Sequence, residues 1–163
     1  MSTAPPALRW APDHPVDGRL VVVGCTRRKT ATQTPVPALA LYQGGCVPQL
    51  RARFGHRLDL RARVRILSAE HGLVDADTPL LPYDRPLTAE RAAQLRPGVG
   101  ARLLAEFATH GVPRAMLVVA GPLYLRLLSD VFMATPRPAL EWFADPAADW
   151  DHAAAVLDRW GWP

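Results

Sequence analysis

The chain has 163 residues, 49% of them apolar, enough for one sizeable core and too apolar for a disordered chain. No apolar run approaches the roughly 20 residues of a membrane span. The opening MSTAPPALRWAPDHP has no basic region followed by an apolar one, so no signal peptide is expected and the protein reads as cytoplasmic. The net charge of +4 and pI near 9.7 permit contact with nucleic acid or with a phosphorylated ligand. Two cysteines, Cys25 and Cys46, are too few for a disulfide framework, and neither belongs to a CxxC pair that would hold structural zinc. No metal and no cofactor are expected.

Residues 1–17 are rich in Pro and Ala, lack periodicity and read as a flexible arm before a single domain over residues 18–163. Residues 19–23 (RLVVV) have the β-branched run of a buried strand. The loop GCTRRKT follows at once. Short helices are expected over residues 38–42 and 47–54, the second with Pro48 in its first turn. Arg51, Arg53, Arg57, Arg61, Arg63 and Arg65 then crowd the entry to a second strand over residues 62–67. Their alternation with apolar residues predicts one wet face near the strand start.

Residues 68–86 read as a long loop, and loops of that length without structure of their own are usually functional. Thr88 is a good N-cap for a helix through Leu95, which Pro97 and Gly98 break before it resumes over residues 99–109. Residues 114–120 (RAMLVVA) are a third strand. Gly121-Pro122 leads into an amphipathic helix over residues 123–132, residues 139–143 form an edge strand, and residues 149–160 a last helix. Strands alternating with helices predict an α/β fold: one domain with a mainly parallel sheet of three to five strands, flanked by helices.

Three strands end in loops of unusual chemistry: GCTRRK, SAEHG and AGPLY. A parallel sheet brings such loops to one edge, where ligands sit in open α/β folds. Cys25 stands beside Arg27, Arg28 and Lys29, whose charges favour a thiolate nucleophile and can hold an anion. Glu70 and His71 offer acid–base chemistry. Asp84, after Pro82 and Tyr83, can orient a group or activate water. Tyr42 can stack on a planar ring, Gly121 permits close backbone approach, and Ser68, Tyr83 and Tyr124 complete the expected ligand-binding set. His71 is expected to line one pocket with Cys25 and Asp84. The five tryptophans sit mostly toward the chain ends and read as packing residues.

The pattern GCTRRK, then ALYQGG, then ILSAEHGLVDADTPLLPYDRPL resembles a family of small bacterial proteins that carry a domain of unknown function. In it a Cys-x-x-Lys-type loop, a Leu-Tyr element and a Ser-Ala-x-His-Gly-Leu…Pro-Tyr-Asp segment recur. More distantly the segment is similar to the peroxide-stress proteins of the YaaA type, although His71 stands where those have Tyr. That resemblance implies a basic α/β protein linked to DNA binding and oxidative stress. Two functions are the main expectations, the first from the convergent Cys/Lys, Glu/His and Tyr/Asp loops on a basic scaffold and the second from the resemblance. One is an enzyme acting on a nucleobase, nucleotide or nucleic-acid base, at an N-glycosidic bond for instance, with Lys29 or Arg28 on a phosphate and His71 as acid. The other is a non-catalytic DNA-binding protein whose affinity falls steeply with salt.

Overall fold

A computed structural model of the chain describes His14 and residues 16–163. The expected arm and Trp10 lie almost wholly outside the described residues. Strand β1 (Arg19–Gly24) is followed by the two-residue β2 (Val36–Pro37) and helices α1 (Ala38–Leu41), α2 (Val47–Phe54) and α3 (Leu58–Arg61). Strands β3 (Val64–Ser68), β4 (Gly72–Asp75) and β5 (Pro79–Leu80) come next, then the long helix α4 (Ala89–His110). The chain closes with β6 (Ala115–Val119), α5 (Pro122–Arg126), α6 (Ser129–Met133), β7 (Ala139–Phe143) and α7 (Trp150–Arg159).

The main sheet has five strands in the order β4-β3-β1-β6-β7. Strand β1 is central and pairs in parallel with both β3 and β6, and β7 extends the sheet in parallel at the far edge. Parallel neighbours leave β1 no solvent face, which explains its run of valines. Alternate residues feed two cores. Val21 and Val23 join Ile66, Leu117 and Val119 beneath α1, α2 and α7. Leu20 and Val22 join Leu67, Met116 and Val118 beneath α4 and the α5–α6 segment.

Four expectations are corrected. The long loop over residues 68–86 contains β4, antiparallel to β3, in a tight hairpin closed by Gly72 at φ +77°. It also contains β5, which pairs with β2 in a separate two-stranded ladder. Helix α4 runs unbroken through Pro97. Pro97 and Ala93 are both exposed, so the carbonyl that proline deprives of a partner faces water, while Ala92, Val99, Leu103 and Phe107 hold the inner face. The helix expected over residues 123–132 is two short ones, α5 and α6.

The predicted wet face near Arg63 and Arg65 is buried. Arg63 is 1% and Arg65 5% exposed. Arg63 donates to the Arg19 carbonyl at 2.8 Å. Arg65 reaches Glu106 at 3.3 Å and Asp75 at 3.2 Å, and it donates to the carbonyls of Ala62 and Val64. Buried guanidinium groups survive only with such partners.

Candidate functional site

The order β3-β1-β6 places a topological switch point at β1, because the chain leaves it first to one side and later to the other. A cleft of about 480 Å³ opens there, at the carboxyl ends of these strands. Cys25, Thr26, Arg27 and Lys29 line it from the β1 loop, Tyr124 from α5, and Asp84, Arg85, Pro86 and Leu87 from the segment before α4.

Cys25 is anchored by its own N–H, which donates to the Leu67 carbonyl at 2.8 Å. Its Sγ lies 3.1 Å from Tyr124 Oη and accepts from the Ala69 N–H at 3.4 Å. Gly24 makes room for this arrangement. A Cβ there would stand 3.2 Å from the Tyr124 ring and 3.3 Å from Ala120, so a side chain would push the phenol off the sulfur. The loop then tightens, as the Thr26 hydroxyl donates to the Arg28 carbonyl (2.8 Å) and accepts from the Gly44 N–H (3.2 Å).

Lys29 is half-buried, and its Nζ sits 4.4 Å from the centroid of the Tyr83 ring and 5.9 Å from that of Tyr42. Among the described residues no carboxylate pairs with it; its one hydrogen bond is to the Arg27 carbonyl at 3.4 Å. Beneath it lies a chain of hydroxyls. Tyr83 Oη is 2.7 Å from both Tyr42 Oη and Ser68 Oγ. Ser68 Oγ also accepts the N–H groups of Glu70 (3.2 Å) and His71 (3.0 Å), so its own proton goes to Tyr83. Burial pushes the Tyr42 phenol up to about 12. Tyr83 and Tyr124 are raised as well, first by burial and then by the charge that an ionised Cys25 would place beside them. All three phenols therefore stay protonated.

The expected site residues separate into three groups. Cys25, Arg27, Lys29, Asp84 and Tyr124 share the cleft. Tyr42 and Ser68 are fully buried beneath it, so neither touches a ligand; Tyr42 has no free face for a planar ring. Glu70, His71 and Tyr83 border a second groove of about 380 Å³. The expectation that His71 shares a pocket with Cys25 and Asp84 is thus corrected. Ser68 bends the hairpin so that His71 is exposed, with its ring edge-on to Tyr83 at 5.4 Å. Glu70 pairs with Arg85 at 3.2 Å. The Arg28 side chain and Gly121 line neither cavity; Gly121 caps α5 instead.

Sequence reasoning missed Arg85, Pro86 and Leu87, though they follow Asp84 directly in PYDRPL. It also missed Arg91. That guanidinium donates to the carbonyls of Ala69 (2.9 Å) and Glu70 (2.8 Å) and so clamps the turn that presents the Ala69 N–H to Cys25. No local pattern marks Arg91; only the packing of α4 on the hairpin shows it. Among the described residues no group of three or more His, Cys, Asp or Glu is placed to hold a metal ion. No described helix is long and apolar enough to cross a membrane.

Residues 20–141 match the model of a family of unknown function, DUF6884. The chain belongs to that family. The match covers β1 through most of β7 and so includes every residue lining the cleft. No curated protein and no solved structure matches the chain.

Proposed function

We propose that the protein is an enzyme acting on a nucleobase-containing substrate, a nucleotide in its simplest form, bound in the cleft at the carboxyl end of β1. One observation carries this reading: a thiol, a carboxylate and three cations converge on a cavity large enough for such a ligand. Arg27 and Lys29 suit a phosphate, and Arg85 adds positive charge to the rim from its pair with Glu70. Pro86, Leu87 and the Tyr124 ring offer an apolar wall to a planar base. Cys25 and Asp84 supply the reactive side chains. A cytoplasmic location fits this substrate class.

The N-glycosidic route loses its expected acid, because His71 lies outside the cleft, and Glu70, expected to activate water or stabilise a cationic sugar, is paired with Arg85. Among the described residues Asp84 is then the one carboxylate lining the cleft, whereas glycosidic hydrolysis commonly uses two. The alternative of a YaaA-like DNA-binding protein has less behind it. Its sequence support is the arginine-rich stretch from Arg51 to Arg65 and the loop from Arg27 to Lys29; the side chains of the first are engaged within the fold, which leaves the loop alone.

Calorimetric titration with nucleosides and with nucleoside mono-, di- and triphosphates tests the reading, followed by chromatography for released base or altered base. Micromolar binding that needs the phosphate is expected. No binding by any of them, or equal binding by nucleoside and nucleotide, would overturn it.

A further inference from the structure

Eighteen of the nineteen basic side chains of this protein are arginine; Lys29 is its one lysine. Lysine presents a compact ammonium where arginine presents a broad planar fork. In so arginine-biased a chain, the single lysine stands in the wall of the cleft that the half-buried Cys25 also lines. Cys46, the other cysteine, is buried.

We infer that Cys25 is a covalent nucleophile toward an unsaturated carbon of an anionic substrate, and that Lys29 holds the substrate's anion. This rests on the reading that the cleft is the active site, and it names the bond attacked: a carbon–heteroatom bond of a carbonyl, amidine or ring carbon rather than C1′ of a sugar. The surroundings of the sulfur support it. Ala69 N–H already points at Sγ, and Tyr124 Oη lies 3.1 Å away. Whichever atom donates in the neutral pair, an ionised Cys25 leaves Tyr124 as the donor, because burial keeps that phenol protonated. Two donors thus face the thiolate, which is the reactive form. Lys29, over the Tyr83 ring and with no carboxylate partner among the described residues, is available for the substrate's charge.

The step balances without any further reagent but water. Sγ bonds to the carbon, the leaving group departs with the carbon–heteroatom electron pair and takes up the thiol proton. Water then adds to the thioester or thioimidate carbon, and Cys25 leaves as the restored thiol.

Alkylation by a matched pair of probes tests this without knowledge of the substrate. Iodoacetate and iodoacetamide differ in charge, and peptide mapping reads Cys25 against Cys46 as internal control. Cys25 of the folded protein is expected to react with iodoacetate faster than the urea-unfolded chain does, and faster than with iodoacetamide. Lys29→Met lowers the iodoacetate rate about tenfold and the iodoacetamide rate by a smaller factor, Lys29→Arg restores part of the difference, and Tyr124→Phe slows both probes. Circular dichroism confirms that each variant is folded. Unchanged iodoacetate rates in Lys29→Met, or a Cys25 no more reactive than in urea, would overturn the inference. Nucleotide binding with an inert Cys25 would defeat this inference and leave the proposed function standing. A reactive, Lys29-dependent Cys25 in a protein that binds no nucleotide would do the reverse.

Discussion

The loop over residues 25–29 and the stretch over residues 51–65 are the two most basic parts of the chain, and the fold uses them oppositely. In the longer stretch each guanidinium has a partner within the protein. Arg51 holds the Leu39 carbonyl and Gln43, Arg53 holds Asp158, Arg57 holds Asp59, Arg61 holds Asp77, Arg63 holds the Arg19 carbonyl, and Arg65 holds Glu106 and Asp75. In the shorter loop Arg27 and Lys29 face the cleft and make no ion pair among the described residues. Positive charge in a sequence thus says little about ligands until internal partners are counted, and six clustered arginines can matter less than one lysine.

The sharpest way to break this contrast is Arg65→Ala. Removing the buried guanidinium takes the donors from the Ala62 and Val64 carbonyls and leaves Glu106 only the looser pair with Arg102 at 3.6 Å, and a loss of about 3 kcal/mol is expected, roughly 6–12 °C in Tm. Thermal unfolding checks it; a loss within a degree would mean that the stretch is not structural. A comparable effect is expected at high pH, through Cys46 and Tyr42. Burial pushes the Cys46 thiol up to about 12 and the Tyr42 phenol likewise. Their ordinary values lie near 9 and 10, so the unfolded chain ionises first and releases protons. Stability therefore falls as pH rises from about 9 toward 12, by at most about 1.4 kcal/mol per group per pH unit. Urea titrations between pH 8 and 11 should show the decline, and Cys46→Ala should flatten its first unit; parallel curves would contradict a buried, protonated Cys46. Smaller again is Lys29→Met, expected to weaken nucleotide binding about tenfold, or about 1.4 kcal/mol, with Tm nearly unchanged. If binding falls no more than in Arg57→Ala, the contrast between the two regions fails. Arg57→Ala itself removes an exposed pair, so neither melting nor binding should move.

The parallel strands were legible because apolar, β-branched runs with no polar face have few other uses; β1, β3 and β6 all lie where such runs stand, and β7 where the edge strand was expected. The hairpin was not. GLVD is too short to show a period, and its partner is chosen by the turn that Ser68 and Gly72 make. The burial of Arg65 was equally hidden, since Glu106 is 41 residues away. Of the residues read from strand ends, Cys25, Lys29 and Tyr124 line one cleft, together with Asp84, which was read from the Pro82-Tyr83-Asp84 turn. Strand-end position failed for His71 because one serine hydroxyl, taking two consecutive N–H groups, decides on which side of the hairpin the imidazole emerges.

The two-residue ladder between β2 and β5 has a consequence of its own. Val36 faces Leu80 and Pro37 faces Pro79, while Ala38 and Leu39 donate to the carbonyls of Thr78 and Ala76. These few bonds join the segment after Lys29 to the segment before Asp84, so two connections distant in sequence are mechanically one strap. Amide deuterium uptake would then follow a single clock in both: the N–H groups of Ala38, Leu39 and Leu80 should exchange at a common rate, and loosening either segment, by Val36→Gly for example, should speed them all together.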